Sequence, residues 1–256
     1  MAVLPAGILA KIERADEHIQ QLNSEIAAFL SANTYRTISK LDPDTGERVL
    51  YLVGPDPPLR FSVIIGEITY HLRTTLDHLI CHLVLKNEGT PSRRHQFPIC
   101  DSIEKYKDAI KKGNIEGITA SCVTVIETLQ PYHAGADFKR NLLWILQDMN
   151  NTDKHRLLIT VSGIASTQCV KIAADRAISI TQISAPQGFV RATESGTELY
   201  RFTIDSIDAK VLLEGDLTPD VALDKFGEWQ NQPVIPSMKQ LHDSIVGAAS
   251  HLAATP

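Results

Sequence analysis

The chain has no pair of cysteines at metal-binding or redox spacing: Cys81, Cys100, Cys122 and Cys169 are scattered singly. A cysteine-built zinc site and a disulfide framework are therefore not indicated, and reduced thiols in a cytoplasmic setting are expected. No apolar run approaches the roughly 20 residues that span a bilayer. The opening stretch Met1 to Ala10 lacks the basic and long apolar regions of an export signal, so no membrane partner is expected. Also missing are a glycine-rich phosphate loop, a Gly-x-Ser-x-Gly elbow and a cysteine-nucleophile context, which argues against nucleotide kinases, α/β-hydrolases and cysteine proteases. Neither sign of charge dominates. With 25 Lys and Arg against 30 Asp and Glu, and a net charge of -5, charge alone would not hold the chain on nucleic acid.

What is present is the composition of a folded protein, 43% apolar with 14 Gly and 13 Pro. Ala6 to Leu30 places Ile8, Ile12, Ala15, Ile19, Leu22, Ile26 and Leu30 at three- and four-residue steps, the pattern of a long helix with a charged outer face. Two β-prone runs between Tyr35 and Val53 flank Asp42-Pro43-Asp44-Thr45-Gly46-Glu47, which predicts a hairpin. Leu59 to Leu85 carries a continuous apolar stripe (Phe61, Ile65, Ile68, Leu72, Leu76, Leu79, Leu83) and predicts a core helix. Helices follow at Ser102 to Lys112, with Ser102 as N-cap, at Ile118 to Leu129 and at Phe138 to Leu158. Beyond Leu158 the period changes. Val170 to Ile172, Ile178 to Thr181, Tyr200 to Ile204 and Lys210 to Leu213 alternate as half-buried strands, and Pro233 to Ala253 closes with a helix. The expected fold is α+β: an N-terminal helical bundle with a β-hairpin, then an antiparallel sheet and a C-terminal helix. The expected division is 1–158, with the hairpin at 35–53, and 159–256, with the last helix packing back, or a single domain comprising both.

The polar residues of Leu59 to Leu85 separate into two flanks. Glu67, His71, His78 and His82 fall together on one, since each residue advances the helix by about 100°. Arg73 and Asp77 fall on the other with Tyr70. In the later helix Asp148, Thr152 and His155 share a face. Histidines one turn apart can grip one ion, so His71, His78 and His82 with Asp148 form a candidate site for a divalent metal ion and a metal-dependent hydrolase. Otherwise no cofactor is expected. A third possibility is a non-catalytic interaction module in which Arg73 and Asp77 lock helices together. Each segment carries charges costly to bury alone, so Arg73, Asp77 and His78 are expected to lie close to Asn151 to Arg156.

Arg73-Thr74-Thr75-Leu76-Asp77-His78 fits Arg-x4-His and in this resembles the motif of HEPN-domain ribonucleases, helical bundles that cut RNA without a metal near a dimer interface. The resemblance implies Arg73 as phosphate clamp and His78 as general acid/base, RNA or a nucleotide as partner, and a homodimer; Asp77 and His155 complete the candidate catalytic set. Thr74 stands where that family often has Asn, Asp or His. The chain is also similar to a broad group of bacterial proteins of unknown activity that share Arg-x-x-Leu-Asp-His, here Arg73 to His78, and Asn-x-x-Asp-Lys-His-Arg, here Asn150 with the segment Asn151 to Arg156.

Overall fold

The computed structural model describes residues 4–33, 35–155, 161–166, 171–175, 179–184, 190–205, 211–214, 218–224 and 227–256. The order of elements is α1 (Ala6–Ala32), β1 (Arg36–Leu41), β2 (Arg48–Val53), α2 (Leu59–Lys86), α3 (Ile103–Lys111), α4 (Ala120–Thr128), a 3-10 stretch (Pro131–Arg140) and α5 (Leu142–His155). Then come β3 (Val161–Ser166), β4 (Lys171–Ala174), β5 (Ile180–Ser184), β6 (Val190–Arg191), β7 (Thr197–Ile204), β8 (Val211–Glu214), β9 (Thr218–Leu223), a short 3-10 turn and α6 (Val234–Ala254). This is the expected α+β arrangement of helices with a hairpin, antiparallel strands and a returning helix. No helix of the described residues is long and apolar enough to cross a membrane.

The chain divides into two compact units. One comprises Met1–Asn23, Ser62–Ile159 and Ile235–Pro256, and is helical. The other comprises Ser24–Phe61 and Thr160–Val234, and holds the strands. In this grouping two elements stand apart from their neighbours in sequence. The hairpin belongs with the strands, because β2 pairs along β7 and extends a four-stranded sheet of order β1-β2-β7-β5. The last helix belongs with the helices, because its stripe Met238, Leu241, Ile245, Ala249 and Leu252 is buried.

In the helical unit the stripe of α2 is buried from Ile65 to Leu83. Each such side chain contributes roughly 1.5–3 kcal/mol by leaving water, so packing rather than intrinsic propensity holds this helix. Its buried threonines do not go unsatisfied. Thr69 and Thr75 donate back to the carbonyls of Gly66 and His71, each at 2.9 Å. Ser102 caps α3 as expected, accepting from the Lys105 N–H.

In the strand unit two further small sheets have orders β6-β3-β9 and β4-β8, and among the described residues the named strands pair antiparallel. The hairpin turn is fixed by Asp42, whose carboxylate accepts from the Asp44 and Thr45 amides, and by Gly46 at φ 72°. Arg201 of β7 reaches both Asp42 (2.6 Å) and Glu47 (3.0 Å), tying the turn to the central strand. Tyr35 lies across two glycines, Gly54 and Gly163, where an added Cβ would sit 2.3 and 2.5 Å from its ring and hydroxyl. Burial, with the nearby Asp56 charge, pushes its hydroxyl pKa up to about 12. The expected strand positions Val170, Ile178 and Lys210 lie outside the described residues.

Candidate functional site

The motif Arg73 to His78 sits at the middle of α2, within the helical unit. Arg73 is only 7% exposed. Its Nε donates to Gln147 Oε1 of α5 at 2.8 Å, one terminal nitrogen to Asp77 Oδ1 at 2.5 Å, and the other to the Phe97 carbonyl at 2.9 Å. Asp77 Oδ1 in turn accepts the Phe97 N–H at 2.9 Å. The ion pair therefore grips both polar groups of one peptide residue, N–H by the carboxylate and C=O by the guanidinium.

That residue lies in a segment with no regular structure, and the next polar groups along it are satisfied in the same manner. Gln130, 1% exposed, accepts the Cys100 N–H at 3.0 Å and donates to the Pro98 carbonyl at 2.9 Å. Buried backbone outside helices and sheets must find side-chain partners, and Arg73, Asp77 and Gln130 are those partners. Gln130 was not among the sequence candidates. A single glutamine before a proline carries little signal.

His78 does not join this cluster. Five residues after Arg73 it is turned by about 140° around the helix, and it is exposed. The pair expected to share one phosphate thus points in two directions. His155 ends α5, and its side chain lies outside what is described, as does Arg156. The expected proximity of the two motif segments is offset by one to two helical turns. Asp153 abuts Gly66 and the Lys154 ammonium lies 5.6 Å from the Tyr70 ring, while Arg73 meets α5 earlier, at Gln147. Helices α2 and α5 therefore run antiparallel, and Gln147 also donates to Asn151 at 3.4 Å.

The expected metal set does not converge. His71 and His82 are eleven residues apart on one continuous helix, about 16 Å along its axis, too far to share an ion, and Asp148 is exposed. His71 instead stacks on His18 of α1, ring centroids 5.7 Å apart and planes at 22°. Burial, then the positive charges of Lys11 and its neighbours, lowers the His71 pKa below the ordinary imidazole value. His18 is 5% exposed, and its Nδ1 lies 3.6 Å from Glu67 Oε2, beyond hydrogen-bond reach. Among the described residues no group of three or more His, Cys, Asp or Glu side chains is placed to hold a metal ion. The signal for His18 was in the sequence: it stands three residues after Ala15 and four before Leu22, on the core stripe of α1 rather than its charged face.

Asp153 completes this second cluster. An ideal Cβ on Gly66 would lie 2.4 Å from its Oδ1, so the glycine is what lets the carboxylate rest against α2. Burial, then the Glu67 charge, raises the Asp153 pKa above its ordinary value, partly opposed by Lys154. Two imidazoles, two carboxylates and Tyr70 thus meet where α1, α2 and α5 pack together. No protein-family model, curated protein or solved structure matches the chain.

Proposed function

We propose that the helical unit is a non-catalytic binding module, and that Arg73 and Asp77 brace its irregular segment rather than carry chemistry. One observation supports this above the others: the three nitrogens of Arg73 each donate to a protein acceptor, and the side chain is buried. A phosphate clamp presents its guanidinium fork to the ligand. Turning Arg73 toward a phosphate would strip the Phe97 carbonyl and the Asp77 carboxylate of their partner. Asp77, already holding an N–H and a guanidinium, is equally committed.

The competing reading is the metal-independent ribonuclease implied by Arg-x4-His, and one assay separates the two. Purified, untagged protein is incubated with single- and double-stranded RNA in excess EDTA, alongside His78→Ala. No cleavage by either protein is expected. Cleavage by the wild type that His78→Ala abolishes without a change in melting would overturn the proposal, as would RNA cleavage that requires an added divalent metal.

A further inference from the structure

Two buried nitrogens of the helical unit have no hydrogen-bond partner among the described residues: Nδ1 of His18 on α1 and Nδ1 of His71 on α2, the two rings that stack on each other. Buried polar atoms are ordinarily bonded, and each exception calls for a cause. Shape does not supply one, since an apolar aromatic ring would stack there without orphaning a nitrogen. What imidazole adds to a stacked pair is the capacity to take up a proton between about pH 5 and 8.

The groups around the pair decide what a proton does there. On α1 these are Lys11 and Arg14, the latter paired with Glu17 at 2.8 Å. On α2 they are Glu67 and Tyr70, and on α5 Asp153 and Lys154, which act on Glu67 and Tyr70 in turn. A first proton has one acceptor within a small shift, Glu67 Oε2 at 3.6 Å from His18 Nδ1. A second proton sets two like charges face to face, with ring centroids 5.7 Å apart and Lys11 and Arg14 beside them. Burial, then Lys11, His18 and Arg14, already hold the His71 pKa below the usual imidazole value, with Glu67 opposing. Asp153 brings no relief, because its raised pKa means that it sheds its negative charge earlier in acid than an ordinary aspartate.

We propose that the His18–His71 stack is an acid-operated latch between α1 and α2, which holds while the pair carries at most one proton and releases when both rings are protonated. Release frees the α1 stripe Ile8, Ile12, Ala15, Ile19 and Leu22, all buried while the latch holds, so acid uncovers an apolar surface on the helical unit. His71 sets the direction. The contact is complete above the ordinary imidazole value of 6.5 and is lost as pH falls through the lower value in the folded chain. The latch stands independently of the role of Arg73.

The test is amide exchange of the full chain from about pH 7.5 to about pH 5, read by mass spectrometry on peptides and corrected for the intrinsic dependence of exchange on pH. Peptides spanning Ile8 to Leu22 should lose protection roughly tenfold for each pH unit below 6.5, while those of α6 keep theirs. His71→Phe retains a stacked ring without a titrating nitrogen. It should melt at or above wild type at neutral pH and cut the slope to roughly threefold per unit or less. Where that variant folds poorly, His71→Gln gives the same reading. Asp153→Asn should keep the slope or steepen it, since its own titration runs the opposite way. Protection lost equally in α1 and α6, a slope unchanged in both well-folded His71 variants, or a slope abolished by Asp153→Asn would each overturn the latch.

Discussion

Removing the guanidinium of Arg73 tests the brace most directly. Arg73→Ala deletes three hydrogen bonds and leaves the Phe97 carbonyl, Gln147 and Asp77 without their partner. Breaking a fully buried ion pair costs about 3–5 kcal/mol. Asp77 has a side chain 31% exposed, so water can re-solvate part of what is lost and the expected loss is at the low end, about 3 kcal/mol. In a chain of this size that lowers the melting temperature by roughly 6–12 °C. Asp77→Ala should cost about 2 kcal/mol, because it frees the Phe97 N–H as well as the guanidinium. Since the two act on one peptide residue, the double variant should lose less than the sum, with a coupling near 1.5 kcal/mol. Urea unfolding followed by circular dichroism gives these values. Amide exchange gives the local readout: the Phe97 N–H should lose protection in Asp77→Ala while the Cys100 N–H, held by Gln130, keeps it. If Arg73→Ala melts within a degree of wild type, or if the Phe97 amide exchanges alike in both proteins, the brace is wrong and a functional role for the pair is reinstated.

Two further outcomes follow from the second cluster. Gly66→Ala, which at an unconstrained helix site would stabilise by about 1 kcal/mol, should here destabilise by about 1–2 kcal/mol because the methyl meets the Asp153 carboxylate. Combined with Asp153→Ala the same change should stabilise again, and no reversal of sign would refute the contact. The raised Asp153 pKa means the native state holds a proton that the unfolded chain, near its ordinary 3.8, has already released. Stability from this group is therefore largest at low pH and lost as pH rises through the folded titration. Asp153→Asn should accordingly melt above wild type at pH 7, with the gap closing toward pH 4, and a gap independent of pH would contradict the assignment.

Periodicity carried most of the helical unit, since the α2 stripe and the Ser102 cap are local patterns with one reading each. Strand pairing is not local. The hairpin announces itself at Asp42 to Glu47, yet nothing near it signals that β2 continues into β7, whose register pairs Leu50 with Tyr200. Strand β9 carries little local signal, because Pro219 and Asp220 are poor strand residues. It lies at the edge of the β6-β3-β9 sheet, where one strand face needs no partner and proline is tolerated. The motif at Arg73 is the harder case. An arginine and an aspartate one turn apart look like chemistry, because the groups they serve here, the N–H and C=O of Phe97, belong to the backbone and leave no trace in side-chain identity. An irregular buried segment needs one strong donor and one strong acceptor at the same peptide residue, and an Arg–Asp pair at i,i+4 supplies both from a rigid helix. The same two residue types serve a phosphate site and a backbone brace. What separates the uses is whether the donors still face open space, and at Arg73 they do not.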